Sequence, residues 1–259
     1  MPDLLIEKEN GTCTIKLNRP QVYNALNRET KLALITEIRK ASRDESIGSI
    51  VLTGEGKAFS TGQDLNDRTV SGADAPVDLG YTLETEWNPL VNAIRESGKI
   101  VIGAINGVVA GAGISVALAC DFIYAAPGIK FVSGFSNIGL CPDAGSSFIF
   151  SRAFGYQKAL EFFLTNKPLL SEDLEKAGLI NYVGDDFLEK SNEMAQKINA
   201  MAPLSITNIK KNLQFSLDQD FKESMRRETS TQRFLGNSHD YKEGLKAFFE
   251  KRKPEFKGQ

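Results

Sequence analysis

Short apolar runs alternate with amphipathic stretches through the first half of the chain. The runs have the length of strands and end at turn residues: Thr12–Leu17, Ile47–Thr53, Ile100–Ile105, Asp121–Ala126 and Lys130–Val132. Apolar residues recur at helical spacing between Asn27, a predicted N-cap, and Ala41. They do so again over Gly80–Arg95, where Pro89 is expected to kink the helix. Strands that alternate with helices predict an α/β fold.

Helical periodicity dominates after about residue 144. The predicted helices are amphipathic: Phe148–Phe154, Lys158–Leu164, Ser171–Ala177, Leu188–Met201, Ser205–Phe215, Phe221–Phe234 and Tyr241–Lys251. The last sixty or so residues are predicted to contain no strands. Residues 200–259 are therefore predicted to form a helical region that follows a core of residues 1–199. The apolar stripe of this region includes Phe234, Leu235, Leu245, Phe248 and Phe249, which need cover from the core or from another subunit.

Composition narrows the class of protein. The 259 residues are 41% hydrophobic and 25% charged, and the net charge is −2, so the chain has no overall basic field for binding nucleic acid. The start of the chain is too short and acidic for a signal peptide, and no apolar run has the length of a membrane span. Cys13, Cys120 and Cys141 are predicted to be buried thiols of a reducing compartment. A cytoplasmic location is expected, although a mature organelle-matrix protein would share these features.

The only histidine, His239, limits the possible chemistry. It lies between Ser238 and Asp240 and is predicted to be a solvated residue at a helix start. One histidine cannot form a His-based zinc cluster, and no metal site is predicted. Any reaction must therefore depend on carboxylates, backbone dipoles or a cofactor.

Two glycine-rich turns follow predicted strands. The first, Asn106–Gly113, has almost no side chain and precedes a short helix, so its backbone N–H groups can approach an anionic oxygen. It lacks the third glycine of a dinucleotide motif, because Val116 stands there. The second turn, Lys57–Leu65, lies in the same position relative to its strand. Together the turns could present two N–H donors to one carbonyl oxygen, or they could be independent packing turns.

Asp143 is a further candidate for chemistry. It follows Pro142, precedes a predicted helix, and is flanked by apolar residues that include Leu140 and Phe148. It could be a helix N-cap. Alternatively, apolar surroundings would raise the pKa of its carboxyl group and make it a competent base.

Taken together, these segments resemble the enoyl-CoA hydratase/isomerase family, which has the crotonase fold. The similarity covers essentially the whole chain, and the matching motifs are Asn18–Pro20 with Asn24–Leu26, Ile50–Gly54 with Ala58–Leu65, Asn106–Gly113 with Cys120–Asp121, and Glu243–Arg252. The resemblance implies a ClpP/crotonase-like spiral of ββα units with a helical C-terminal trimerisation region. It also implies a homotrimer or a dimer of trimers, and an acyl-CoA substrate in which coenzyme A enters as part of the substrate, with no separate cofactor.

The resemblance also assigns roles to residues. The oxyanion hole would be formed by the backbone N–H groups of Gln63 and Ala112. The residues matching the family's coenzyme A site are Ala25, Ala58, Ser60, Gln63, Asp64, Leu65, Phe248 and Lys251. The acyl pocket would include Phe135, Leu140 and Ser115, with Phe148 completing an apolar wall.

The reaction follows from which carboxylates are present. The two positions at which hydratases of the family carry glutamate hold Ser115 and Phe135, and Asp143 occupies the position of the base in single-base isomerases. The resemblance therefore implies an isomerase that shifts a Δ3 double bond to Δ2 or that acts on ring 1,2-epoxyphenylacetyl-CoA. Hydration, thioester-directed displacement and non-catalytic acyl-CoA binding are the alternatives.

Overall fold

Two sheets and ten helices form the protein in a computed structural model that describes residues 1–68 and 78–259. The strands are β1 Leu4–Glu9, β2 Thr12–Leu17, β3 Ser49–Gly54, β4 Ala58–Ser60, β5 Ile100–Ile105, β6 Val108–Ala110, β7 Phe122–Ala125, β8 Lys130–Val132, β9 Leu169–Leu170 and β10 Tyr182–Val183. The helices are α1 Arg28–Arg43, α2 Leu79–Thr82, α3 Asn88–Arg95, α4 Ala112–Leu118, α5 Ser146–Thr165, α6 Ser171–Lys176, α7 Phe187–Asn199, α8 Pro203–Ser216, α9 Phe221–Leu235 and α10 His239–Glu250.

The sheets grow by a repeated ββα step. The first sheet has the order β1-β2-β3-β5-β7-β10 and the second β4-β6-β8-β9. Each repeat adds one strand to each sheet, as β3 and β4, β5 and β6, and β7 and β8 do, and the neighbouring repeats pair in parallel. The predicted α/β class and spiral of ββα units are thereby confirmed. The ends of the short strands β4 and β6 come together because they are neighbours in the second sheet.

The central strands of the first sheet are buried on both faces. Val51 and Ile102 pack with Ala195 of α7, whereas Ile50 and Val101 belong to the larger core on the opposite face. This alternation is the period of two that a β-strand imposes on its side chains. Continuous apolar sequences such as β3 and β5 suit parallel strands that are covered on both sides.

Helix boundaries depend on local capping. Asn27 caps α1 as predicted, because its side chain accepts a hydrogen bond from the Thr30 backbone N–H. The helix predicted over Gly80–Arg95 is present, but its irregular part is a π-helical turn over Leu83–Trp87 rather than a kink at Pro89. Pro89 lies in the first turn of α3, where a missing N–H is tolerated.

The short strands β4, β6, β9 and β10 were not predicted from the sequence, and neither was β1, whereas the three-residue strand β8 was. The segments of β4 and β6 were interpreted as parts of glycine turns, because three residues are too few to show alternation. The two helices predicted around Gly155 form the single element α5, interrupted where Gly155 adopts a φ of 75°. Helix α7 ends at Asn199, and the division of the chain after residue 199 stays a prediction.

The C-terminal helices pack back onto the core. Lys210 of α8 reaches Asp121 at 2.7 Å, and the Thr207 hydroxyl donates to the Gly98 carbonyl at 2.7 Å. Even so, Phe221, Phe248 and Phe249 are each more than 70% exposed. Over residues 1–68 and 78–259, no helix combines the length and the apolar character that crossing a bilayer requires.

Candidate active site

Two glycine turns meet at one point. Gly62 follows β4 and has a φ of +83°, and Gly111 precedes α4 with a φ of +51°. A Cβ atom added to Gly62 would lie 2.9 Å from the Ala112 backbone nitrogen and 3.0 Å from the Ala110 carbonyl oxygen. The two backbones therefore pack against each other at a distance that only glycine permits.

The contact brings two backbone donors to the same cavity. Gln63 and Ala112 both line it, and within the described part of the chain neither of their N–H groups donates to another protein group. The neighbouring groups are engaged: the Gly62 carbonyl accepts from the Leu26 N–H, and the Asp64 N–H donates to the Leu26 carbonyl. Ala112 is also the first residue of α4, where the helix dipole favours negative charge. This arrangement suits the oxygen of a polarised carbonyl.

The cavity is small and mostly apolar. Its volume is about 230 Å³, and its described lining residues are Thr61, Gln63, Leu65, Trp87, Ala110, Gly111, Ala112, Ser133, Gly134, Phe135, Ile138, Leu140 and Asp143. Asp143 is the single carboxylate among them. One acid and two backbone donors therefore share a pocket whose other large side chains, apart from Gln63, are hydrophobic.

Asp143 is held by its backbone. Its carbonyl oxygen accepts hydrogen bonds from the Ser146 N–H at 3.0 Å, the Ser146 hydroxyl at 2.9 Å and the Ser115 hydroxyl at 3.0 Å. The N-cap interpretation of Asp143 is wrong, because α5 begins at Ser146 and its N-cap is Gly145. The side chain lines the cavity instead.

Ser115 has a different place from the one predicted. It is fully buried one turn into α4, and it is outside the set of described residues that line the cavity. Its hydroxyl supports the loop of Asp143 by donating a hydrogen bond to the Asp143 carbonyl. Phe135 and Leu140 do line the cavity, whereas Phe148 is half-buried outside it, with the Arg152 guanidinium 3.4 Å from its ring centroid.

The predicted coenzyme A residues divide into two groups. Gln63 and Leu65 line the cavity, and Leu65 is 56% exposed at its mouth. The buried members are Ala25, Ala58, Ser60 and Asp64. Ser60 donates to the Asn24 carbonyl, and Asp64 pairs with Arg19 at 2.9 Å, so these two side chains hold the loop in shape.

Phe248 and Lys251 lie at the end of α10 with exposed side chains. Neither is among the described residues that line the cavity of this chain. Their predicted contact with coenzyme A stays a prediction, since the resemblance places such contacts across a subunit boundary.

Several residues of the site were not predicted from the sequence, and Ile138 and Trp87 of the cavity wall are among them. Lys31 and Glu86, which form a buried ion pair next to the cavity, are two others. The burial of Lys31 could have been predicted, because its spacing from Leu34, Ile35 and Ile38 puts it on the same face of α1 as these apolar residues. A charged residue on such a face indicates a buried partner.

The three cysteines and the histidine differ in their exposure to solvent. Cys13 and Cys120 are buried as predicted, and burial raises the pKa of both thiols. The prediction for Cys141 is wrong, because it lies exposed in the loop between Leu140 and Asp143. His239 is half-exposed as the first residue of α10, as predicted. Across the described ranges, no three His, Cys, Asp or Glu side chains cluster as metal ligands do.

Comparison with known proteins gives matches over the full chain. A sequence model of the enoyl-CoA hydratase/isomerase family matches residues 7–259. The 1,2-epoxyphenylacetyl-CoA isomerase of Escherichia coli is 36% identical, and the alignment covers 100% of both chains. A probable enoyl-CoA hydratase of Rhodobacter capsulatus is 35% identical, with 98% of this chain and 97% of that protein covered. The crystal structure of an enoyl-CoA hydratase from Polaromonas sp. JS666 has a TM-score of 0.92 at 31% identity, with 98% and 99% coverage.

Proposed function

Because the chain belongs to the enoyl-CoA hydratase/isomerase family, we propose that it is an acyl-CoA isomerase in which Asp143 alone carries the proton. The observation that supports this most is the composition of the cavity wall. It combines one carboxylate with the N–H groups of Gln63 and Ala112. A double-bond shift needs these parts and no others.

The reaction proceeds in two proton transfers. With a 3-enoyl-CoA, the Asp143 carboxylate removes a proton from C2, and the electrons move into a dienolate whose oxygen accepts hydrogen bonds from Gln63 and Ala112. The resulting carboxylic acid returns the same proton to C4, which leaves the conjugated 2-enoyl-CoA and regenerates the carboxylate. No water is consumed. A single oxyanion-hole donor is worth about 3 kcal/mol in comparable sites, which is what makes so weak a carbon acid reactive.

Hydration is the less favoured alternative. Adding water requires a second group that activates the water molecule, and Ser115 and Phe135 stand at the two positions where hydratases of the family carry glutamate. Ser115 is engaged with the Asp143 carbonyl, and the Phe135 ring lines the cavity. Apolar walls formed by Phe135, Leu140 and Ile138 keep water from competing with proton return.

We propose two substrate types for this site, because both place a thioester carbonyl beside the same donors. One is an unbranched 3-enoyl-CoA, and the other is ring 1,2-epoxyphenylacetyl-CoA, the substrate in the name of the E. coli relative. Coenzyme A enters as part of either substrate. Turnover of a panel containing both thioesters will rank them.

Mixing the purified protein with a 3-enoyl-CoA is expected to raise the absorbance of the conjugated enoyl thioester. The reason is that isomerisation creates conjugation, whereas hydration of a 2-enoyl-CoA destroys it. The control is the same protein with a 2-enoyl-CoA, whose absorbance is expected to fall only to the small extent set by the reverse isomerisation. A rapid and nearly complete fall would indicate a hydratase. No change with either thioester, together with thermal stabilisation by coenzyme A, would indicate a binding protein.

We expect the protein to form trimers or pairs of trimers. The C-terminal helices expose Phe234, Leu245 and Phe248, and such apolar side chains are typical of surfaces covered by another subunit. Sedimentation at micromolar concentration is expected to show a species of three or six chains. A stable monomer with full isomerase activity would contradict this expectation.

A further inference from the structure

A buried ion pair lies directly behind Gln63. Lys31 of α1 and Glu86 of the π-helical turn are both buried, with the Lys31 Nζ 2.5 Å from Glu86 Oε2. The same ammonium donates to the Gln63 Oε1 atom at 2.9 Å. The Lys31 side chain therefore connects an internal carboxylate to a residue of the cavity wall.

Stability alone is a poor reason for such a pair. Removing two charges from water carries a large desolvation penalty, and apolar residues of similar size commonly stabilise a core as well or better. Lys31 lies on the buried face of α1, and its neighbours there, Leu34 and Ile35, are apolar, as is usual for side chains that pack into a core. A charged residue at a position that normally carries an apolar one points to a functional requirement.

The Gln63 side chain is fixed by three hydrogen bonds. Its Oε1 accepts from Lys31 and, at 3.0 Å, from the Trp87 indole N–H, and its Nε2 donates to the Asp64 carbonyl at 3.0 Å. Trp87 also contacts Lys31, because the Lys31 Nζ lies 4.8 Å from the centroid of the Trp87 ring. Leu26 holds the peptide groups on either side of Gln63. The direction of the Gln63 N–H is consequently set from both the backbone and the side chain.

The charge of the cluster also favours an anion in the cavity. The Lys31 ammonium contacts the Gln63 Oε1 atom at 2.9 Å, so the positive end of the buried ion pair is the end that lies against the cavity wall. Inside a protein, such a charge acts over a low effective dielectric. It would stabilise an enolate more than the neutral thioester from which the enolate forms.

We propose that Lys31 is a positioning residue for the oxyanion hole, with Glu86 as its anchor. This inference rests on the proposed function: Lys31 holds Gln63 so that its N–H meets the thioester oxygen, and it stabilises the negative charge that develops there. Because that charge exists only after proton removal, Lys31 contributes to kcat and little to KM.

Three variants separate charge from packing. Lys31→Met removes the ammonium and keeps a long apolar side chain, and Lys31→Gln keeps a hydrogen-bond donor without the charge. Lys31→Met combined with Glu86→Gln avoids leaving a carboxylate buried without its cation, in case the single variant fails to fold. The matched control is Lys210→Met with Asp121→Asn, which removes a second buried lysine pair that lies outside the cavity.

The first measurement is turnover of a 3-enoyl-CoA. Lys31→Met with Glu86→Gln is expected to lower kcat by about tenfold to a hundredfold, somewhat less than loss of a direct oxyanion donor, and to change KM by less than about threefold. Lys31→Gln should fall between this variant and the wild type. The control pair should keep kcat within about twofold. A folded Lys31 variant with unchanged kcat would overturn the proposal.

The second measurement needs binding but no turnover. The probe is hexanoyl-CoA, whose thioester C=O infrared stretch shifts to lower frequency when the oxygen accepts hydrogen bonds. The shift is expected to shrink in all three Lys31 variants and to persist in the control. A full shift in the Lys31 variants would overturn the proposal. If the wild type shows the shift but no isomerisation, the proposed function fails while the role of Lys31 stands, and absence of any shift in the wild type overturns both.

Discussion

Replacing Asp143 with asparagine is expected to lower kcat for a 3-enoyl-CoA by about a thousandfold, within the range of general acid–base catalysis. The amide has the same shape as the carboxylate but cannot accept the C2 proton. Gln63 and Ala112 are unchanged in this variant, so the thioester should still bind with its carbonyl at the same donors. Affinity for hexanoyl-CoA is expected to stay within about threefold.

Steady-state turnover and titration calorimetry with hexanoyl-CoA measure the two quantities separately. Asp220→Asn is the matched control, because Asp220 is an exposed N-cap of α9 and asparagine caps a helix equally well. It should leave both kcat and affinity unchanged. Near-full activity in Asp143→Asn would show that another group carries the proton and that the single-base mechanism is incorrect.

Gly62→Ala is expected to abolish the oxyanion hole, with kcat lowered by about a hundredfold or more. Its added methyl group would lie 2.9 Å from the Ala112 nitrogen and 3.2 Å from the Gly113 nitrogen, so the two turns must separate. Alanine also tolerates the φ of +83° poorly. We expect both effects together to destabilise the fold by about 1–3 kcal/mol.

Gly178→Ala separates these two effects. Gly178 has a similar φ of +76°, but none of the described atoms lies within 4 Å of the methyl group that alanine would add. Chemical denaturation should show a smaller loss of stability for Gly178→Ala, and turnover should show no loss of kcat. If Gly62→Ala keeps wild-type kcat and the hexanoyl-CoA carbonyl shift, the two turns do not form the oxyanion hole.

The residues at the two positions that the resemblance assigns to the hydratase glutamates have identifiable structural roles. At position 115 a serine hydroxyl reaches the Asp143 carbonyl at 3.0 Å, so the residue supports the loop that carries the candidate base. At position 135 a phenylalanine adds apolar surface to the cavity. Position 115 therefore supports the loop of Asp143, and position 135 contributes to the apolar wall of the cavity.

Much of the fold could be predicted from the sequence. The strands β2, β3 and β5, the cap at Asn27 and the helices of the C-terminal region depend on periodicity and on turn residues a few positions apart. The short strands β4 and β6 could not be predicted in this way. They exist because neighbouring repeats supply their hydrogen-bond partners, which is information that three residues do not contain.

The candidate site was predicted in part. Gln63, Ala112, Phe135, Leu140 and Asp143 line one cavity, and their motifs pointed to them. Ser115 was predicted to line the pocket and Cys141 to be buried. Both predictions depend on where a side chain points and how deeply it is buried, which the spacing of residues in the sequence does not specify. The ion pair of Lys31 and Glu86 joins residues that are far apart in the chain, so no local pattern connects them.

The sequence by itself determined the α/β alternation and the glycine turns, because each of these depends on residues adjacent in the chain, and its resemblance to the family singled out Asp143 as the candidate base. Only the tertiary structure decided that Gly62 touches Ala112, that Ser115 supports Asp143, and that Lys31 lies behind Gln63. These contacts form when parallel strands and packed helices bring distant segments together, and their distances depend on side-chain packing across the whole core.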